Sequence, residues 1–216
     1  MPRESKASKQ QRAIEVCKRL MERYPGAECA LNYDTPFTLL IAVMLSAQTT
    51  DAAVNKVTPA LFEAYPTPFE MAQASQADVE EIIHSLGFFR SKARHVIKAS
   101  QMLVAEFDGE VPSTMEELTL LPGVGRKTAN IVMNDAFGII EGIAVDTHVF
   151  RVSHKLKLSS KDDPSKVEQD LLAILPKKYW EPANHLLVLF GREICDAKKP
   201  RCAECPLSDI CPSCKA

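Results

Sequence analysis

"LPGVGRKTA", residues 121–129, sets a valine between two glycines and places a lysine in what reads as the first turn of a helix. A glycine turn followed by Lys-Thr suggests a phosphate cradle. A nucleotide-binding loop, however, requires G-x-x-x-x-G-K-[ST] between a strand and a helix. Here Arg126 separates Gly125 from Lys127, and the preceding "STMEELTLL" (113–121) has the pattern of a capped helix. The nucleotide reading fails on both counts. What remains is helix, tight glycine hairpin, helix. Leu118 and Leu121 sit on the first helix, and Ala129, Ile131 and Val132 line the second. Gly123 and Gly125 are expected to allow backbone conformations that a Cβ would obstruct.

Helix signals continue on both sides of the hairpin, and strand signals are almost absent. Thr35-Pro36, Thr67-Pro68 and Asp163-Pro164 each set a capping side chain before a proline suited to the first helical position. Thr67 with Glu70, and Ser113 with Glu116, have capping-box spacing. Ser91 is expected to cap "KARHVIKASQMLVAEF", which stops at Gly109, and "PANHLLVLFGREIC" carries a late helix to Cys195. The apolar run "FTLLIAVML" (37–45) is too short to span a bilayer and reads as a buried core helix. The expectation is an all-α chain of about ten helices joined by short turns.

Composition is globular, with 46% hydrophobic and 25% charged residues among 216, enough for a core. The N-terminal stretch is charged and lacks the apolar segment of an export signal, so a cytoplasmic protein without membrane contact is expected. A net charge of −2 argues against a polyanion partner, but its distribution reverses that argument. No Lys or Arg lies between Lys56 and Arg90, whereas the first 23 residues carry seven basic side chains against three acidic ones. The loop "CDAKKPRC" adds Lys198, Lys199 and Arg201. One basic face is compatible with that pattern. The exposed start of the hairpin's second helix attracts anions, and a DNA backbone is the extended anion that fits.

Five of the seven cysteines crowd into the last 22 residues; Cys17 and Cys29 stand apart. Cys195, Cys202, Cys205 and Cys211 have the spacing C-x6-C-x2-C-x5-C. Packed thiols in a reducing compartment are metal ligands more often than disulfides. Zinc could use Cys202 to Cys214, and an iron–sulfur cube could use Cys195 to Cys211 with Cys214 spare. Spacing leaves both open.

The segments "LLIAVMLSAQTTD", "SLGFFRSKA", "GEVPSTMEELTLLPGVGRKTAN", "IAVDTHVFRV" and "GREICDAKKPRCAECPLSDIC", in this order, resemble the endonuclease III family of DNA repair glycosylases. The resemblance runs from about residue 35 to 211. It implies a [4Fe–4S] cluster on Cys195, Cys202, Cys205 and Cys211. It also implies two helical domains with the active site in the cleft between them. One is a six-helix barrel at residues 29–139 bearing the helix-hairpin-helix. The other is discontinuous, 1–28 plus 140–216, and carries the cluster.

The implied activity is a bifunctional DNA glycosylase and abasic-site lyase of base excision repair. Its substrates would be oxidised or ring-saturated pyrimidines in damaged double-stranded DNA. In such chemistry Lys127 attacks C1′ of the sugar and displaces the base. The resulting Schiff base acidifies the 2′ protons, and β-elimination cleaves the strand. An attacking amine must be uncharged, and the positive end of a helix disfavours an ammonium. Asp146, before "THVFRV", is both a natural N-cap and a fixed carboxylate able to stabilise a cationic sugar. His148 either lines the pocket or is a hydrogen-bonded core residue.

Extruding the nucleotide costs roughly a few kcal/mol. By resemblance Gln48 of "SAQ" fills the vacated space, and Phe88, where leucine is common, acts as the wedge. Gly123, Val124 and Gly125 would grip the backbone, with Lys198, Lys199 and Arg201 on further phosphates. The expected species is a monomer, nucleoid-associated if bacterial. Two rivals differ in kind. A relative excising mismatched adenine typically lacks the lysine that Lys127 supplies. A non-catalytic DNA-binding or redox-sensing iron–sulfur module would form no covalent adduct.

Overall fold

The computed structural model describes residues 4–214. Among these, eleven α-helices and two 3-10 turns account for all regular structure, and no strand is present. The chain divides into two compact units: Cys29–Ile139, and the segment up to Glu28 together with everything from Ile140 onward. No helix among the described residues is long and apolar enough to cross a membrane.

The Cys29–Ile139 unit holds α2 (Pro36–Leu45), α3 (Asp51–Ala64), α4 (Pro68–Gln73), α5 (Gln76–Ile83), α6 (Phe89–Phe107), α7 (Met115–Leu120) and α8 (Arg126–Phe137). Helix α2 follows from its sequence. Thr35 caps it in a box with Thr38, Pro36 starts it, and every residue from Phe37 to Leu45 is buried. A helix that is apolar all round belongs at the centre, and α3, α6 and α8 pack against α2. Asn55 on α3 pins the loop before α2, accepting from Asn32 N at 2.9 Å and donating to Ala30 O at 2.8 Å.

Of three further start signals, one reads as expected in the structure and two do not. Thr67 and Glu70 form the expected box. The cap expected at Ser113 with Glu116 lies one residue later and is not a full box: Thr114 accepts from Glu117 N at 3.3 Å, and its hydroxyl, not its backbone N–H, donates to the Glu117 carboxylate at 2.6 Å. Both pairs have three-residue spacing, so spacing alone could not separate them. Ser91 caps nothing. Helix α6 begins at Phe89 behind Phe88, whose φ of +57° puts the turn there, and Lys92 N closes the first turn on Phe88 O at 3.0 Å.

The other unit holds α1 (Lys6–Arg23), α9 (Thr147–Lys155), α10 (Pro164–Ile174) and α11 (Trp180–Glu193). Helix α11 starts two residues before the expected Pro182, which occupies its tolerated first turn. The core joins Val16 and Leu20 of α1 with Val149, Leu171, Leu187 and Phe190. The cysteine tail has no core of its own; it docks through Leu207, fully buried in this core, and through Arg19. The Arg19 guanidinium grips both Asp209 carboxylate oxygens, at 2.6 and 3.1 Å, and Pro206 O at 3.0 Å. That pairing holds the Asp209 carboxyl below the usual carboxylate range.

Burial pushes the thiols of Cys17 and Cys29 up to about 12. Because the thiolate is the reactive form, both remain protonated and inert at about pH 8. Iodoacetamide mapped by mass spectrometry should therefore miss both in the folded protein and modify both after denaturation.

Candidate active site

Helix α7 ends at Leu120 with Leu121 as C-cap, whose N–H donates to Leu118 O at 3.2 Å, and Val124 N then closes the turn on Leu121 O at 3.0 Å. Gly123 has φ +85°. A Cβ there would stand 2.9 Å from His95 Cβ and 3.3 Å from Met44 Cε. Conformation and close approach both demand glycine at this point.

Gly125 differs from the expectation. Its φ is −102°, and an added Cβ would meet nothing within 4 Å. Its contribution is the side chain it lacks, since α8 starts with no side-chain cap on its first-turn amides. Val124 is buried and its N–H is spent inside the turn, so its side chain belongs to the core. Outward, the hairpin offers Gly123, Gly125 and the first turn of α8, where Arg126 and Lys127 are exposed.

Gln48, Phe88 and Gly123, which come from three separate segments, line one open pocket. Lys92, His95 and Met44 form more of its wall. Gln48 and Phe88 both have left-handed backbones, at φ +52° and +57°. Such conformations cost a residue with a Cβ roughly 1–2 kcal/mol, and they collect where side chains must be presented for use. Phe88 is 69% exposed despite its size, which sets it apart from the core aromatics.

Asp146 lies in the other unit, as N-cap of α9. Its Oδ1 accepts from His148 N at 2.9 Å and Val149 N at 2.7 Å. The segment leading to it is tied from behind by two buried side chains. Glu168 accepts from Ile143 N at 3.2 Å, and Asn184 donates to Ala144 O at 2.7 Å. His148 is half-buried, its Nδ1 lying 3.2 Å from Arg151 Nη2.

Arg151 also donates to Gly191 O at 2.9 Å and Cys195 O at 3.2 Å, linking α9 to the first tail cysteine. Sequence reading passed over Arg151, Lys92, Glu168 and Asn184. The one available signal was a charged or amide side chain at a core-facing helical position, as with Lys92 beside Ala93 and Val96.

The tail thiols fit an iron–sulfur group. Burial pushes Cys195 up to about 11, the Arg151 charge opposes that rise, and Cys211, Cys205 and Cys202 reinforce it. Cys205 is likewise raised by burial and by its cysteine neighbours, while Leu207 N donates to its sulfur at 3.4 Å. Thiols that hinder one another's ionisation are relieved by a bound cation, and N–H donors to sulfur tune such clusters. Among the described residues no three His, Cys, Asp or Glu side chains gather for a single metal ion. A four-iron cube asks for something different, because each thiolate binds its own iron.

The basic loop splits in two. Lys198 and Lys199 donate their backbone N–H groups to Asp196 at 2.8 and 2.9 Å, and both are exposed. Arg201 is also exposed, but its guanidinium is engaged on the surface: it donates to Glu193 O at 2.6 and 3.0 Å and pairs with Glu204 at 3.3 Å. It caps the end of α11.

The helical fold and uncapped hairpin define a class. Residues 41–177 match the HhH-GPD superfamily of base excision DNA repair proteins, and residues 195–211 match the iron–sulfur binding domain of endonuclease III. The chain is 51% identical to endonuclease III of Synechocystis sp. over 97% of its length and 96% of that protein. It is 43% identical to the Escherichia coli K12 endonuclease III, covering 92% of this chain and 93% of that one. A trapped endonuclease III–DNA covalent intermediate superimposes with TM-score 0.90 at 45% identity, covering 94% and 96% of the two chains. A thermostable thymine-DNA glycosylase, 20% identical with TM-score 0.84, shares the fold. The chain belongs to the endonuclease III family: it is a base excision repair DNA glycosylase and abasic-site lyase with an iron–sulfur cluster.

Gly123→Ala should lower the melting temperature, by at least the ~1 kcal/mol cost of a Cβ at positive φ, whereas Gly125→Ala should melt like the wild type. Thermal denaturation of the two variants side by side checks the contrast.

Proposed function

We propose that the protein removes oxidised or ring-saturated pyrimidines from duplex DNA, with Lys127 as nucleophile and Asp146 as its electrostatic partner. The observation that carries this reading is the exposed amine at the second position of an uncapped helix, directly behind a glycine hairpin. The first-turn amides and the helix dipole suit the hairpin to hold a phosphate. Lys127 then stands next to the sugar of the nucleotide so held. Its Nζ forms a bond to C1′ as the bond from C1′ to the base breaks, and the base leaves with that electron pair and a proton. The amine then loses a proton, the C1′–O4′ ring bond breaks with its electron pair and a proton going to O4′, and the nitrogen is left doubly bonded to C1′ as a Schiff base. Removal of a 2′ proton then expels the 3′ phosphate oxygen.

Asp146 has one oxygen committed to the α9 amides and the other without a hydrogen bond among the described residues. A carboxylate fixed in this way can stabilise positive charge at the sugar and accept a proton. Gln48 and Phe88 share a pocket and an exposed, left-handed presentation, which supports their reading as gap filler and wedge. Gly123, Gly125 and Lys198 with Lys199 are the assigned backbone contacts. Val124, which also packs into the core, and Arg201, which also holds the tail, belong to the same set.

Cys195, Cys202, Cys205 and Cys211 are the ligands assigned to a [4Fe–4S] cluster. The cluster would hold the tail in shape, while Lys127 and Asp146 perform the chemistry. The two compact units are read as the two domains of the enzyme. It acts as a monomer in the cytoplasm on damaged double-stranded DNA.

The decisive test is excision across a panel of damaged bases, with strand cleavage scored separately and borohydride trapping on abasic DNA. Wild type should trap covalently and prefer oxidised pyrimidines. Lys127→Gln should form no adduct yet still bind, and Asp146→Asn should slow excision by about 10²-fold or more. An untrappable wild type would point to a binding module. The ligand assignment has its own check: Cys202→Ser should lose the visible iron–sulfur absorbance, and Cys214→Ser should keep it.

A further inference from the structure

A left-handed backbone at a residue with a Cβ persists only where its surroundings over-determine it. For Gln48 those surroundings can be traced. Within its own loop, Ser46 Oγ donates to Val43 O at 2.9 Å and Thr49 N donates to Ser46 O at 3.0 Å. From a segment distant in the chain comes a further hydrogen bond: Lys92 Nζ donates to Thr49 Oγ1 at 2.5 Å. The Thr49 hydroxyl in turn donates to Ala47 O at 3.3 Å. That carbonyl belongs to the peptide plane whose rotation sets φ of Gln48. Ammonium, hydroxyl and carbonyl thus form a chain in which each bond polarises the next, and the chain ends on the backbone that presents Gln48.

Lys92 is an unusual residue for its place. It is 7% exposed, on the face of α6 that carries buried Ala93 and Val96. Burial pushes its ammonium below the usual lysine range. A methionine would fill the same helix face without that desolvation. Yet the Lys92 side chain reaches the wall of the pocket that Gln48 and Phe88 share.

We propose that Lys92 is a positioning residue for Gln48, acting through the Thr49 hydroxyl and the Ala47 carbonyl to hold residues 46–50 in the shape that occupies the gap left by an extruded nucleotide. The inference rests on the reading of Gln48 as gap filler. It makes insertion preorganised, so the loop is not reordered at the moment the duplex opens.

The test compares the wild-type holoenzyme with Lys92→Met, Thr49→Val and the double variant on two substrates. One is a duplex containing an oxidised pyrimidine; the other is single-stranded DNA with a preformed abasic site, whose sugar needs no extrusion. Each single variant should slow single-turnover excision from the duplex by about 10-fold or more. Cleavage of the single-stranded site should stay close to wild type. The double variant should be no worse than the singles, because the two side chains act as one unit. A 2-aminopurine opposite the lesion should brighten less on binding either variant. That signal is read on binding alone, so it decides the role of Lys92 even if the nucleophile were a residue other than Lys127. Wild-type excision and wild-type 2-aminopurine brightening in both variants would overturn the inference. So would an equal fall on both substrates accompanied by a lower melting temperature, which would mark a packing role. If Lys92→Met fails to fold, Thr49→Val, altered in a partly exposed loop, decides alone.

Discussion

The contact between Gly123 and the His95 side chain is the constraint on which the site depends. With φ at +85° and room for no Cβ, the hairpin can press its backbone against α6 and the end of α2. That approach turns the chain sharply enough for α8 to start at once, with its first amides uncapped and Lys127 in its first turn. It also makes Gly123 part of the pocket wall, so the hairpin, the Gln48 loop and the Phe88 turn share one surface. A side chain at 123 would disturb all three together.

The second unit solves a different problem, which is how a polar cysteine-rich tail is held to a helical core. Leu207 supplies apolar burial, and Arg19 supplies a two-pronged grip on Asp209. Arg201 and Arg151 tie the end of α11 and the carbonyl of Cys195 to their neighbours. The thiols between these anchors raise one another's resistance to ionisation, which is the electrostatic condition that cation binding reverses. Of the basic residues in this loop, Lys198 and Lys199 are free of such structural duty in their side chains, and Arg201 is not.

Much of this was legible before any coordinates. Thr35-Pro36, Thr67-Pro68 and Asp163-Pro164 start helices where capping chemistry puts them, because an N-cap is a local interaction within four residues. The all-apolar run at 37–45 announced its central burial through composition alone. Ser91 and Ser113 misled for the same reason that the others succeeded. Each has a plausible local partner, but the chain turns at Phe88 and enters α7 from an extended backbone at Thr114.

By itself the sequence determined that the chain is helical, that a glycine hairpin precedes Lys127, that Asp146 precedes a helix, and that the tail gathers thiols. These are properties of neighbours along the chain, carried by short-range hydrogen bonds, capping and spacing. Only the tertiary structure decided that Gly123 is indispensable and Gly125 is not, that Arg201 binds the last carbonyl of α11, and that Lys92 reaches across 43 positions of chain to the Thr49 hydroxyl. Those outcomes depend on which atoms of distant segments arrive at the same point, and no local pattern encodes that meeting.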